Sequence, residues 1–349
     1  GRMAILQGTR QLKQLAKANL LSSFLGLMVS VPLYLLFEIS GIVPAIIITY
    51  LVSFLVFYLF SKTSNAHHFE MPFKTLLNKS KAMLTLGFTL SFTSLILTLT
   101  LWLIQIFIRD LGGLEQVGYY AAGMLIINAY VGMIFNAMAT DYFPRLSAIN
   151  KDNNAIQKVV NEQAEIAILL ITPIITLFLL FKELIIQILY TPSFLVITGI
   201  VTFGILGTLF KAVSFSLGYV IIAKGHSKVY IKTAIVFNIL MLLISVGSYK
   251  YGGLDGLGLG LLIYYFIHFL GIKWINAHLY KLRLSKHTLY LLLISCVICI
   301  SVYMALQIKG TFLRYCITSL LVLVSVVFTI MQLQKRVDFK ALIKRGFKK

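Results

Sequence analysis

The sequence predicts an all-α polytopic membrane protein of about ten transmembrane helices. Two observations predict it: ten apolar stretches, and Lys and Arg residues that gather in alternate connections between them. The stretches run over 19–37, 41–60, 84–108, 117–140, 164–181, 196–223, 230–249, 254–275, 288–307 and 312–333. Most hold about 20 residues, the length a helix needs to cross roughly 30 Å of hydrocarbon. Inside lipid every backbone N–H and C=O must be bonded within its own segment, so the spans are helices. Residues 1–18, 61–83, 141–163, 224–229 with Lys232, 273–287 and 334–349 carry 25 of the 31 Lys and Arg. The remaining connections carry Arg109, Lys182, Lys250, Lys309 and Arg314, and Lys211 lies within a span. The positive-inside rule places the first set in the cytoplasm, and with it both ends of the chain.

Composition agrees. Hydrophobic residues make up 59% of the chain and charged residues 12%, against about 25% charged in a soluble domain. A net charge of +20 would suggest a nucleic-acid partner in a soluble protein. Here it is dispersed over six short connections without a dense basic-aromatic patch. It therefore serves topology and attraction to anionic lipid headgroups, and no nucleic acid is expected. The basic, amphipathic end "KRVDFKALIKRGFKK" is predicted to lie on the inner membrane surface.

The connections leave no room for a soluble catalytic domain. Residues 61–83 hold His67, His68, Glu70 and Pro72, followed by "FKTLLNKSKAMLTL", which reads as an interfacial helix. In 141–163, Pro144 is expected to break the incoming span, and 154–165 to form a helix that runs on into the fifth span. Gly41, Gly112–Gly113, Pro192 and Gly252–Gly253 mark tight turns on the opposite side. Cys296, Cys299 and Cys316 read as small membrane-buried thiols, since no His or Asp accompanies the C-x-x-C. No Walker loop, His-based metal spacing or Gly-x-Ser-x-Gly occurs, so no enzyme activity, cofactor or metal is expected.

Polar residues inside the spans are the candidate site. Lys211 sits near the middle of the sixth span, where a Lys costs about 2.5–3.5 kcal/mol on insertion scales. Two readings fit it: a cationic contact for an anionic substrate, or a structural ion pair with an acid outside this chain. The third span carries Thr85, Thr89, Ser91, Thr93, Ser94, Thr98, Thr100 and Gln105, several at three- or four-residue steps. That polar face suits either close helix packing or a cavity lining. Arg109 ends the same span. Asn128 and Asn136 share a face of the fourth, and Asn238 and His268 lie in later spans. Interhelical hydrogen bonds are the expected role of these last four. No Asp or Glu is mid-span; Asp141, Glu162 and Glu165 stand at span ends.

Five stretches carry a family resemblance. They are "AILQGTRQLKQLAKANLLSSFLGLMVSVPLYLLFEISGIVPA" (4–45), "LEQVGYYAAGMLIIN" (114–128), "YFPRLSAINKDNNAIQKVVNEQAEIAILLITPII" (142–175), "LGYVIIAKGHSKVYIKTAIVFNI" (217–239) and "GGLDGLGLGLLIYY" (252–265). In this order and spacing they resemble Wzx-type O-antigen and polysaccharide flippases of the multidrug/oligosaccharidyl-lipid/polysaccharide exporter superfamily.

The resemblance implies a two-lobed helical bundle whose first four helices lie outside this sequence. On that map 1–60 is the last helix pair of the N-terminal lobe, and 61–83 is a cytoplasmic linker. Residues 84–275 form the C-terminal six-helix lobe, 288–333 an added pair and 334–349 a basic tail. The chain opens on Gly-Arg-Met and a polar basic segment, which fits either this map or a complete small protein. The implied function is translocation of a polyprenyl-pyrophosphate-linked oligosaccharide across the bacterial inner membrane by alternating access. Lys211, Arg109, Gln105, Thr98, Asn128 and Asn136 would contact the substrate. Membrane lipids and other polysaccharide assembly proteins would be the partners. Alternatives are a lipid-linked peptidoglycan precursor flippase, a multidrug antiporter, and a polytopic glycosyltransferase or polymerase.

Overall fold

A computed structural model describes residues 3, 6, 11–61 and 72–334, and every regular element among them is a helix. The chain divides into two compact units, Gly1–Lys79 and Ser80–Lys349. The first contains a hairpin of α1 (Leu12–Phe37) and α2 (Ile42–Ser61), joined by a 3₁₀ turn at Glu38–Gly41. Gly41 lies so close to the Leu33 carbonyl that a side chain there would overlap it.

In the second unit follow α3 (Phe73–Gly112, its first residues in the first unit), α4 (Leu114–Ala148) and α5 (Asn153–Leu189). A 3₁₀ turn over Pro192–Ile197 leads to α6 (Thr198–Ala223). Next is α7 (Ser227–Tyr280), which folds back on itself at Gly253 (φ 57°, ψ −143°), a backbone conformation open to glycine. Gly260 packs against Ser248 and Gly271 against Phe237, so the two arms of α7 run antiparallel. α8 (Lys286–Ala305) and α9 (Thr311–Gln334) complete the unit. Eight apolar helical stretches are long enough to cross a membrane among the described residues. Two of them are hairpins, bent at 38–41 and at Gly253, which makes the ten expected spans.

Two local expectations are corrected. The segment from Phe73 is continuous with α3 and is not a separate interfacial helix. Pro144 lies inside α4, which runs on to Ala148. The stretch around it is held by contacts to other helices. The Tyr142 hydroxyl donates to the Ser216 carbonyl at 2.7 Å, and Arg145 bridges Asp141 (3.6 Å) and Glu162 (3.7 Å). The break falls instead at Asp152, whose carboxylate accepts from the Asn154 and Ala155 amides and caps α5. His67, His68, Glu70 and the basic tail lie outside the described residues.

α6 is the central helix. It makes its most extensive contact with α7, where Gly258 sits directly on the backbone of Gly199 and Ile200. Small residues at such a crossing let the two backbones approach closely. Side chains from both flanking helices also reach adjacent carbonyls of α6: Tyr142 bonds Ser216, and Asn276 Nδ2 donates to Leu217 at 3.2 Å.

α5 holds the α8–α9 hairpin by two polar devices. The first is a ladder on successive turns, Asn153, Gln157, Asn161 and Glu165. Asn153 Nδ2 donates to the Tyr280 carbonyl (3.1 Å), and the Arg283 amide donates to Gln157 Oε1 (3.1 Å). The Ser285 amide donates to Asn161 Oδ1 (2.7 Å), and the Thr288 hydroxyl donates to Glu165 Oε1 (2.6 Å). The irregular residues 281–285 are thereby fastened to a helix face. Lys224 joins the same end of the bundle, donating to Asn153 Oδ1 (2.8 Å) and to the Asn150 carbonyl (3.0 Å). Glu165, at a span end, is only 2% exposed.

The second device lies deeper. Pro173, inside α5, cannot donate to the carbonyl of Leu169 four residues back. The Thr329 hydroxyl of α9 donates to that carbonyl at 3.0 Å. One turn away Thr176 and Ser325 share a hydrogen bond of 2.8 Å.

Thr329→Val should therefore lower stability by about 0.5–1.5 kcal/mol in detergent unfolding. In a Pro173→Ala background, where residue 173 regains its N–H, the same change should cost almost nothing. Equal costs in the two backgrounds would contradict the pairing. Asn161→Ala should speed hydrogen exchange at the Ser285 amide, read by peptide-level mass spectrometry, while the Gly253 turn stays unchanged.

Candidate functional site

α6 is mostly sealed by its neighbours. Around its middle, residues 212–214, 216, 217, 220 and 221 are buried, whereas Lys211, Phe215, Gly218, Tyr219 and Ile222 are partly open. Their spacing puts them on one stripe of the helix. Lys211 heads that stripe.

Its ammonium lies 3.5 Å from Asn128 Oδ1 on α4. It also stands 5.3 Å from the Tyr265 ring of α7 and 5.9 Å from the Phe135 ring of α4, within cation–π range. Asn128 is oriented by its own Nδ2, which donates to the Met124 carbonyl at 2.9 Å and leaves Oδ1 for the Lys. Three helices thus converge on one cation with neutral groups. Among the described residues the ion pairs formed involve Arg145, and none engages Lys211.

Of the six residues predicted, the structure brings together Lys211 and Asn128. Asn136 is exposed, and its carbonyl accepts from Thr140. Thr98 is exposed and donates to the Ser94 carbonyl of its own helix (2.9 Å). Gln105 is half-buried, and Arg109 is exposed at the end of α3. The hydroxyls of α3 divide: Thr89, Thr93 and Thr100 are buried and bond carbonyls within their own helix, while Ser91 and Ser94 are exposed. Two later residues depart from the expected interhelical hydrogen bonds. Asn238 donates to the Ala234 carbonyl of its own helix, and His268 packs edge-on against the Phe237 ring. Among the described residues no His, Cys, Asp and Glu gather into a metal-binding group.

Sequence reading missed the aromatic surroundings of Lys211. Phe135 stacks on Phe215 (4.9 Å between centroids), and Phe215 meets Tyr219 edge-on (4.8 Å). The available signal was the four-residue step from Lys211 to Phe215 to Tyr219, but aromatic residues in an apolar span read first as lipid-facing bulk.

A family model described as "Polysaccharide biosynthesis protein" matches residues 2–199. The chain belongs to this polysaccharide biosynthesis family. The matched part includes Asn128 and Phe135, whereas Lys211 and Tyr265 lie beyond it. Among solved structures, "Lipid II flippase MurJ, inward closed conformation" is similar in fold. The TM-score is 0.55 at 14% identity, over 89% of this chain and 66% of that one. The family member described here therefore spans slightly less than two-thirds of that structure. No curated protein sequence matches the chain.

The half-open stripe makes an accessibility prediction. With the three native cysteines changed to Ser, Lys211→Cys should react with a membrane-impermeant, water-borne thiol reagent. Ala212→Cys, at a 0% exposed position, should not. Equal labelling of both positions would show that the stripe is not the open side of α6.

Proposed function

We propose that this member of the polysaccharide biosynthesis family is a flippase for a polyprenyl-pyrophosphate-linked oligosaccharide, working by alternating access at the bacterial inner membrane. The observation that carries the reading is Lys211, a cation midway along an apolar helix and faced by Asn128, Phe135 and Tyr265 instead of an acid. A charge at that depth costs about 2.5–3.5 kcal/mol, and a bound pyrophosphate would offset the cost through charge-assisted hydrogen bonds. The lipid tail would remain in the bilayer while the headgroup crosses through a polar path. Residues 84–275 serve as the C-terminal six-helix lobe, with α8 and α9 as an added pair. The basic connections, including 281–285 and Lys224, face the cytoplasm in keeping with the positive-inside rule. Lobes that rock about a midplane site would expose it to each side in turn.

The likeness to a lipid II flippase is one of fold; peptidoglycan precursor and oligosaccharide share the lipid-diphosphate chemistry that Lys211 suits. A cationic drug as cargo is disfavoured by the same Lys, and short connections disfavour a glycosyltransferase or polymerase.

In a bacterial strain lacking its own flippase, the natural full-length gene should restore surface polysaccharide. Lys211→Ala, expressed to the same level by immunoblot, should reduce restoration at least about tenfold, the scale of one lost charge-assisted contact. Lys211→Arg should retain much of it. Restoration by Lys211→Ala at the wild-type level would remove Lys211 from the transport path. Failure of the wild-type gene across strains with different repeat units would count against this cargo.

A further inference from the structure

Below Lys211 the open stripe of α6 is aromatic. Phe215 and Tyr219 follow at successive turns, so the three side chains span about 12 Å along the helix. Both rings are half-buried. Buried rings hold both: Phe135 of α4 stacks on Phe215 at 4.9 Å, and Tyr142, fully buried and bonded to the Ser216 carbonyl, lies 6.4 Å from the Phe215 ring and 5.9 Å from that of Tyr219. Phe143 supports Tyr219 at 5.8 Å. Between the two rings the stripe is open: apart from its own helix, nothing lies within 4 Å of a Cβ placed at Gly218. A membrane helix turned simply to lipid does not need a cation at the end of such a row.

We propose that Phe215 and Tyr219 form a stacking platform for the first sugars of the lipid-linked substrate, set beside the diphosphate contact at Lys211. This rests on the flippase reading and specifies which part of the cargo each residue senses. The chemistry matches in order and in kind. An oligosaccharide linked to diphosphate places neutral rings directly next to the anion. The C–H face of a sugar ring packs on the electron-rich face of an aromatic ring. Lys211 therefore recognises the charge common to all such lipids, and the platform recognises that a sugar is attached. An unloaded carrier would hold only the first contact.

The test compares two lipids on the purified full chain in phosphatidylethanolamine–phosphatidylglycerol nanodiscs. One is the lipid-linked oligosaccharide extracted from the source strain; the other is the same polyprenyl diphosphate without sugar. Tyr219→Ala should weaken binding of the glycosylated lipid by about tenfold, the scale of one aromatic contact, and leave the sugarless lipid unchanged. Tyr219→Phe, which keeps the ring, should bind both like wild type, and Phe215→Leu should repeat the selective loss. Lys211→Ala should weaken both lipids. Loss of both lipids with Tyr219→Ala and Phe215→Leu, or of neither, would overturn the platform while leaving the flippase reading in place. If wild type binds neither lipid, the flippase reading falls and the platform with it.

Discussion

No water is at hand in the middle of a membrane to hydrogen-bond a backbone N–H or C=O, so each must find its partner within the protein. The second unit is organised around that constraint. Helices satisfy nearly all backbone groups internally, and the exceptions become the points where helices are joined. Pro173 leaves the Leu169 carbonyl without its helical donor, and Thr329 of the neighbouring helix supplies one. Thr176 and Ser325, both fully buried, satisfy each other across the same seam. Apolar packing between helices differs little from packing against lipid, so such polar contacts do much to set which helix sits beside which.

The same logic shapes the end of the bundle. The residues from 281 to 285 have no regular hydrogen bonding of their own. Asn161 and its neighbours along α5 take up their amides and carbonyls, and Ser285 caps the start of α8 with its own hydroxyl. Glu165 is tolerated in a buried position because the hydroxyls of Ser285 and Thr288 point at it. α5, α8 and α9 are thus tied together at one end and again further along α5. α6, fastened on both sides at Ser216 and Leu217, stands as a rigid post. Its stripe, with Lys211 at the head, is held in place by these contacts.

Span number, approximate boundaries and the membrane setting were legible in the chain because apolar length and loop charge respond to the bilayer, a solvent with one direction and one thickness. Lys211 stood out for the same reason: a cation in an apolar run is conspicuous on cost alone. The Gly253 turn was legible because its left-handed backbone favours glycine. The expectations about Pro144 and the helix starting at Phe73 failed: both segments continue as part of long helices, and near Pro144 contacts from far along the chain hold the helix. Tyr142 reaches a carbonyl 74 residues on.

What the sequence determined by itself was the periodic and compositional part: ten apolar spans and one charge within a span. What only the tertiary structure decided was the company that charge keeps. Asn128 and Asn136 are equivalent in sequence terms, two turns apart on one face, yet only Asn128 is drawn to Lys211. Phe215 and Tyr219 share the stripe by helical spacing, but Phe135 and Tyr265 come from other helices. Their approach depends on how α4, α6 and α7 cross, which in turn depends on close contacts such as Gly258 against Ile200. Those contacts join residues far apart in the chain, so no periodicity within a single segment records them.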